Sequence, residues 1–157
     1  MEERRVGFAI KVFNNEELSA EDAFLHKSAI IAAEKAYAPY SNFSVGAVAF
    51  LSDNSCVQGS NQENAAFPSG LCAERVALFS AGANCPDSAI KALAIVALKE
   101  GVIQPFVSPC GGCRQVMLET EQRQGHDIRV LLCGRDKTIV VSSAKDLLPL
   151  CFGKENL

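Results

Sequence analysis

Two apolar segments with a helical segment between them constrain most strongly what this chain can fold into. The segment A-L-A-I-V-A-L (92–98) is a near-continuous apolar run, as expected of a strand buried on both faces of a sheet, and I-R-V-L-L-C (128–133) resembles it. The stretch C-R-Q-V-M-L-E-T-E-Q (113–122) predicts a helix between them. Strands joined through a helix form a crossover unit, so the sequence predicts an α/β fold, in which helices cover a sheet.

The other segments predict a hairpin, a short last strand and three more helices. The predicted helices cover residues 19–36, 72–83 and 143–150, with Ser19 as the N-cap of the first and Gly82 as the candidate end of the second; the hairpin pairs residues 43–51 with 56–61, and the last strand covers 138–142. Together these elements predict a three-layer α/β/α sandwich with a mixed five-stranded sheet.

The length of the chain predicts one domain, which we place at residues 19–157, after an N-terminal extension of residues 1–18. Within the extension, V-G-F-A-I-K-V-F (6–13) alternates well enough for an edge strand. A chain of 157 residues buries roughly 68–70% of its unfolded surface. Such a domain needs neither disulfides nor a metal ion to stay folded.

Charge and hydropathy argue against several classes of partner. No apolar run approaches the roughly 20 residues of a membrane span, and the N-terminus M-E-E-R-R lacks the features of a signal peptide. The net charge of −3 argues against a nucleic-acid polymer, because clustered Lys and Arg usually grip phosphate backbones. We therefore expect a cytoplasmic protein that acts on a small, neutral molecule.

Three of the seven cysteines stand in informative patterns. Cys72 precedes Glu74 by two residues in S-G-L-C-A-E-R, while Cys110 and Cys113 form a C-x-x-C pair in S-P-C-G-G-C-R-Q. Beside alternating strands and helices, such a pair is either a redox motif or half of a metal site. The redox interpretation leaves Cys72 and Glu74 without a role, whereas a metal site uses all four residues.

The number of candidate ligands fits a catalytic zinc site. Catalytic zinc keeps three protein ligands and an open fourth position, and the two histidines of the chain have no ligand-like spacing. Both cysteine motifs begin predicted helices, whose N-termini stabilise thiolates. Three thiolates overcompensate the metal charge, so we expect the Arg75 guanidinium to donate hydrogen bonds to ligand sulfurs. Glu74 can lie beside the metal without binding it and move protons there.

Four motifs resemble those of the small cytidine deaminases of pyrimidine salvage: Y-A-P-Y-S-N-F-S-V-G-A, G-S-N-Q-E-N-A, C-A-E-R and S-P-C-G-G-C-R-Q. The resemblance holds in order and in register over about residues 25–153. It implies that Cys72, Cys110 and Cys113 bind one zinc ion per subunit. It also implies that Glu74 takes a proton from water, helps to protonate N3 of the base and delivers a proton to the departing ammonia.

The same resemblance implies contacts to cytidine or 2'-deoxycytidine. Asn61 and Glu63 would hydrogen-bond the sugar hydroxyls, and at a spacing of two on an extended segment both side chains can face one way. Phe43 would flank the pyrimidine ring, and the Ala65 backbone together with Glu74 would read its polar edge.

The C-terminal L-C-F-G resembles a segment that reaches a neighbouring subunit in tetrameric relatives. Phe152 would then enter the neighbour's pocket, so the resemblance implies a homotetramer with shared active sites. Gln115, in the second cysteine motif, is predicted to support the ligands, either at the sulfurs or at the helix end.

Three alternatives stay open at this point. Deaminases that act on bases in a polynucleotide have H-x-E motifs and basic binding faces, whereas this chain has a C-x-E motif and a net charge of −3. A blasticidin-type enzyme, or a deaminase of another amino-substituted nucleoside or base, would share the chemistry. A non-catalytic zinc or redox-sensing module would instead have a closed or disulfide-linked site.

Overall fold

The computed structural model describes residues 1–157 and contains one mixed sheet of seven strands. The strands are β1 Ile10–Asn14, β2 Phe43–Leu51, β3 Cys56–Ser60, β4 Ile90–Lys99, β5 Val102–Ile103, β6 Arg129–Cys133 and β7 Lys137–Val141, and the helices are α1 Ala20–Ala33, α2 Ala73–Asn84 and α3 Gly111–Gln124. The strand order is β1-β7-β6-β4-β2-β3, and the short β5 pairs with β4.

The predicted crossover lies at the centre of the sheet. Strands β4 and β6 pair in parallel, and the chain between them contains α3. All other neighbouring strands are antiparallel, including the predicted hairpin of β2 and β3. The sheet is therefore mixed, and the prediction of an α/β fold is confirmed.

Helices cover both faces of the sheet. On one face α1 buries Leu25 and Ala29 against Val48 and Leu131 of the sheet. On the other face α2 and α3 cover a second and larger apolar cluster, in which Met117 is fully buried. The three-layer α/β/α sandwich is confirmed.

The sheet has two strands more than the five predicted. One is the two-residue β5, which is too short to give a sequence pattern. The other is β1, which lies at the edge of the sheet beside β7 but begins at Ile10 instead of residue 6. The register explains the later start, because Ile10 pairs with Val141, the last residue of β7.

Three predicted helix boundaries are wrong, and the first of these helices, α1, ends at Ala33 instead of residue 36. Helix α2 continues past Gly82 to Asn84, since Gly82 does not adopt the left-handed conformation that Gly125 provides at the end of α3. The closing helix predicted at residues 143–150 is only a 3-10 turn, Ala144–Leu147. Leu148 is pushed out of helical geometry to φ −138°, as expected of a residue that precedes a proline.

The helix starts follow local signals in the sequence. The Ser19 side chain accepts a hydrogen bond of 3.1 Å from the Asp22 amide, so its predicted role as N-cap of α1 is confirmed. Cys72 and Cys110 occupy the N-cap positions of α2 and α3. None of the three helices has the length and apolar character needed to cross a membrane.

Candidate active site

A cleft of about 760 Å³ opens where α2 and α3 begin. Its walls come from the segments before β2, after β3 and before α3, and from the first turn of α2. Most of the predicted site residues line it: Phe43, Asn61, Glu63, Cys72, Glu74, Arg75 and Cys110. The fold thus brings residues from four distant parts of the sequence to one depression.

The three predicted cysteine ligands form a compact cluster. The Sγ atoms of Cys72 and Cys110 are 3.9 Å apart, and those of Cys110 and Cys113 are 3.4 Å apart. All three sulfurs lie within 4.8 Å of one another, and none is in a disulfide. Tetrahedral zinc with bonds near 2.3 Å places its sulfur ligands about 3.8 Å apart. The cluster therefore fits zinc.

Electrostatics also favour a cation at this cluster. Burial raises the pKa of the Cys72 and Cys113 thiols. Desolvation opposes ionisation of Cys110 as well, but its pKa is lowered by hydrogen bonds from the Cys113 backbone and from the two neighbouring thiols. Three thiolates in such a cluster require a positive charge beside them, and a divalent metal supplies it.

Glu74 lies in the first turn of α2, two residues after Cys72, and only 5% of its surface is exposed. Burial raises the pKa of its carboxyl above the ordinary range. The carboxyl also lines the cleft, so a bound molecule can reach it. A buried carboxyl with a raised pKa is suited to take up and return a proton near neutral pH.

Arg75 makes the contact that the sequence predicts. Its guanidinium donates a hydrogen bond of 3.7 Å to the Cys72 sulfur and one of 3.5 Å to the Gly70 carbonyl. Its Nε is buried without a partner. The cation therefore lies against a candidate metal ligand, where it offsets thiolate charge.

Asn61 and Glu63 are both held by contacts within the chain. The Asn61 side chain accepts from the Val45 amide at 2.6 Å and donates to the Phe43 carbonyl at 2.9 Å, which extends the ladder between β2 and β3. Glu63 accepts a hydrogen bond from the Tyr40 amide at 2.9 Å. The Asn61 bonds hold the backbone of Phe43 and the Glu63 bond holds that of Tyr40, both in the cleft wall, a role that the sequence analysis did not predict.

Besides the fully buried Cys113, three predicted residues lie outside the lining of the cleft. Ala65 is exposed and does not line it. Phe152, predicted to enter a neighbour's pocket, is 59% exposed and lies outside the cleft of its own chain. Gln115 does not contact the sulfurs, because its amide donates a 2.8 Å hydrogen bond to the Phe152 carbonyl. Two residues advance an α-helix by about 200°, so Gln115 faces away from its neighbour Cys113.

The sequence analysis missed the residues that complete the walls of the cleft. Ser108 and Val107 line it just before Cys110, and Tyr40 lines it opposite Phe67. The rings of Tyr40 and Phe67 meet edge to face with their centroids 6.3 Å apart. Tyr40 belongs to the motif Y-A-P-Y-S-N-F-S-V-G-A, and Phe67 lies two residues after G-S-N-Q-E-N-A. A position in or next to a motif was therefore the signal that could have identified them.

Gly59 lies beneath the first turn of α2, and replacing it by Ala is expected to disturb the candidate metal site. A Cβ atom at this position would stand 2.5 Å from both the Ala73 carbonyl and the Ala77 amide. Overpacking of this kind costs about 1–3 kcal/mol of stability. Since these atoms belong to the turn that carries Cys72 and Glu74, we also expect a loss of bound zinc, measured as metal content.

Gly46 provides the matched control for this prediction. A Cβ atom there would collide with the Ala29 carbonyl and the Ala33 amide of α1, on the other face of the sheet. Gly46→Ala should therefore lower the free energy of unfolding, measured with urea, but retain zinc in the folded protein. Equal zinc content in both variants would contradict the role assigned to Gly59.

The chain matches known proteins over most of its length. The family model of the cytidine and deoxycytidylate deaminase zinc-binding region matches residues 19–125, which include all three clustered cysteines and Glu74. A cytidine deaminase of Sporosarcina psychrophila is 42% identical over 126 residues, covering 80% of this chain and 87% of that protein. One of Halalkalibacterium halodurans is 41% identical over 133 residues, covering 85% and 95%.

A solved structure agrees with these sequence matches. The crystal structure of cytidine deaminase from Burkholderia pseudomallei matches with a TM-score of 0.69 at 39% identity, covering 86% of this chain and 100% of that chain. With the sulfur cluster and the buried glutamate, these similarities show that the chain belongs to the cytidine and deoxycytidylate deaminase family.

Proposed function

We propose that this protein is a zinc-dependent enzyme that hydrolyses cytidine and 2'-deoxycytidine to uridine and 2'-deoxyuridine and releases ammonia. The observation that carries the proposal is the buried Glu74 carboxyl, which opens into a cleft beside three clustered thiols. A purely structural zinc site is closed by four ligands, whereas three cysteines leave one position free. Relatives named cytidine deaminase support the choice of substrate.

Cys72, Cys110 and Cys113 would hold the zinc, whose Lewis acidity makes water a nucleophile at neutral pH. Glu74 would take a proton from the attacking water and pass it to N3 of the ring, while the water oxygen bonds to C4. The same carboxyl would then carry the remaining proton from the C4 hydroxyl to the amino nitrogen, so that the C4–N bond breaks, the C4 carbonyl forms and ammonia leaves. Its raised pKa suits both transfers.

The cleft has the character of a site for an uncharged nucleoside. Phe43 would lie against the ring, with Asn61 and Glu63 nearer the sugar. The hydrogen bonds of Glu63 with the Ser41 side chain and the Tyr40 amide lower its pKa and keep it anionic. Arg75 is the only cationic side chain in the lining, and it already donates to Cys72 and Gly70. The lining therefore offers no second cation to pair with a phosphate.

Ammonia release from cytidine by the purified protein tests the proposal directly. We expect release that stops when a chelator removes the metal and returns when zinc is added. Because the anionic Glu63 would repel a phosphate, cytidine 5'-monophosphate should react with a lower kcat/KM than cytidine.

The outcomes separate the proposed function from its alternatives. No release by zinc-loaded protein from either cytidine or 2'-deoxycytidine would favour a non-catalytic zinc module or another amino-substituted substrate. Equal kcat/KM values for cytidine and its monophosphate would contradict the proposed nucleoside preference. Release that persists without metal would contradict the role of the three thiols.

We further propose a homotetramer in the cytoplasm that serves pyrimidine salvage, with Phe152 reaching the active site of a neighbouring subunit. In support, Phe152 is 59% exposed and lies outside its own cleft, while Gln115 anchors its carbonyl to α3. The mass of the protein in solution, measured by light scattering, tests this assembly, and a monomeric mass with full activity would refute it.

A further inference from the structure

Arg114 is the residue after Cys113 in α3, and its guanidinium joins two separate segments of the chain. Its Nε donates to the Pro109 carbonyl at 2.9 Å, and its Nη2 donates to the Ser108 hydroxyl at 2.7 Å. Its Nη1 donates to the Leu147 carbonyl at 3.0 Å. All three nitrogens of the guanidinium therefore have partners.

The segment that Arg114 holds, residues 105–109, has no other hydrogen bonds. None of its backbone groups takes part in a backbone–backbone hydrogen bond, and two of its five residues are prolines, which have no N–H to donate. The segment lies directly before the candidate ligand Cys110, and Ser108 lines the cleft. Without Arg114, this part of the wall would be held by packing alone.

The other end of the Arg114 contact is itself firmly anchored. Leu147 closes the 3-10 turn Ala144–Leu147. The buried Glu121 carboxylate of α3 accepts from the Ala144 amide at 2.6 Å and from the Lys145 amide at 3.0 Å. Arg114 thus connects an unsupported loop to a fixed point of the fold.

We propose that Arg114 is a positioning residue for the metal site: by fixing residues 105–109 it holds the Cys110 sulfur in place and keeps the Ser108 side of the cleft in shape. This inference rests on the zinc site of the proposed function. It concerns how firmly zinc is retained, which is measured independently of deamination.

The test compares Arg114→Met with Arg123→Met. Methionine keeps much of the side-chain volume but donates no hydrogen bond. Arg123 lies on the same helix and makes no hydrogen bond to the loop, so its variant controls for loss of an arginine from α3. The readouts are the rate of zinc transfer to a chelator at pH 7, the visible spectrum of the cobalt-substituted protein and the midpoint of urea unfolding.

We expect Arg114→Met to lose zinc about 10–100-fold faster, the usual effect of removing a group that orients metal ligands. Its cobalt spectrum should shift, whereas Arg123→Met should match the wild type in both measurements. Ser108→Ala should speed zinc loss by a smaller factor. Arg114→Lys, which restores one donor, should fall between Arg114→Met and the wild type.

Wild-type zinc loss and an unchanged cobalt spectrum in Arg114→Met would overturn the inference, whatever its unfolding midpoint. If Arg114→Met does not fold, Ser108→Ala and Arg114→Lys decide, and wild-type behaviour of both would overturn the inference equally. A wild-type protein that binds no zinc would overturn the metal site itself. Failure of the proposed function and failure of the Arg114 inference are therefore distinguishable.

Discussion

Replacing Glu74 by Gln is expected to reduce kcat for cytidine by about 10²–10⁴-fold or more, the usual contribution of a positioned proton-transfer group. The amide of glutamine has nearly the same size as the carboxyl, so the buried first turn of α2 should pack as before. It cannot take a proton from water at neutral pH. Since the three candidate zinc ligands are cysteines and Glu74 is not among them, the variant should still bind zinc.

The measurement pairs steady-state kinetics with the zinc content of the same samples. Glu119→Gln, at an exposed position of α3, removes the same charge away from the cleft and should keep both activity and zinc. Near-normal turnover of Glu74→Gln would show that another group moves the protons. Loss of zinc along with activity would show that Glu74 supports the metal site itself.

Cys110→Ala is expected to abolish both zinc binding and deamination. Its sulfur lies 3.9 Å from that of Cys72 and 3.4 Å from that of Cys113, so its removal leaves two of three ligands. Removing a group that only orients a ligand costs 10–100-fold in metal affinity, and losing the ligand should cost more. Titration of the metal-free protein with zinc measures the loss.

Cys151→Ala is the matched control for this variant. Cys151 is exposed and lies outside the sulfur cluster, so its loss should change neither zinc affinity nor turnover. Zinc affinity of Cys110→Ala equal to that of Cys151→Ala would exclude Cys110 as a ligand. Tight zinc binding without deamination would instead assign Cys110 a role in the reaction alone.

The architecture could be predicted because its central strands are encoded locally. The apolar runs at 92–98 and 128–133 correspond to β4 and β6, and the helix between them provides the crossover that their parallel pairing requires. The predictions are wrong where a residue distant in the sequence, or a neighbouring proline, determines where an element begins or ends. The start of β1 depends on where β7 ends, and the closing helix failed because of Pro149.

The same distinction between local patterns and contacts distant in the sequence applies to the candidate site. The cysteines and Glu74 could be predicted, because helix starts and fixed spacings place them within two short motifs. The bonds from Asn61 to Phe43 and Val45 span 16 to 18 residues, and the one from Arg114 to Leu147 spans 33. Contacts at such separations depend on the complete fold and leave no periodic pattern.

The parallel pairing of β4 with β6 has a consequence for the order of events during synthesis. All three candidate metal ligands have been translated by Cys113, but β6, which shares an apolar cluster with Met117 of α3, ends at Cys133. At 5–20 residues per second, the ribosome needs about 1–4 s to cover that interval. A nascent chain that stops before Arg129 therefore carries every ligand thiol but lacks the strand that completes the apolar cluster beneath α2 and α3.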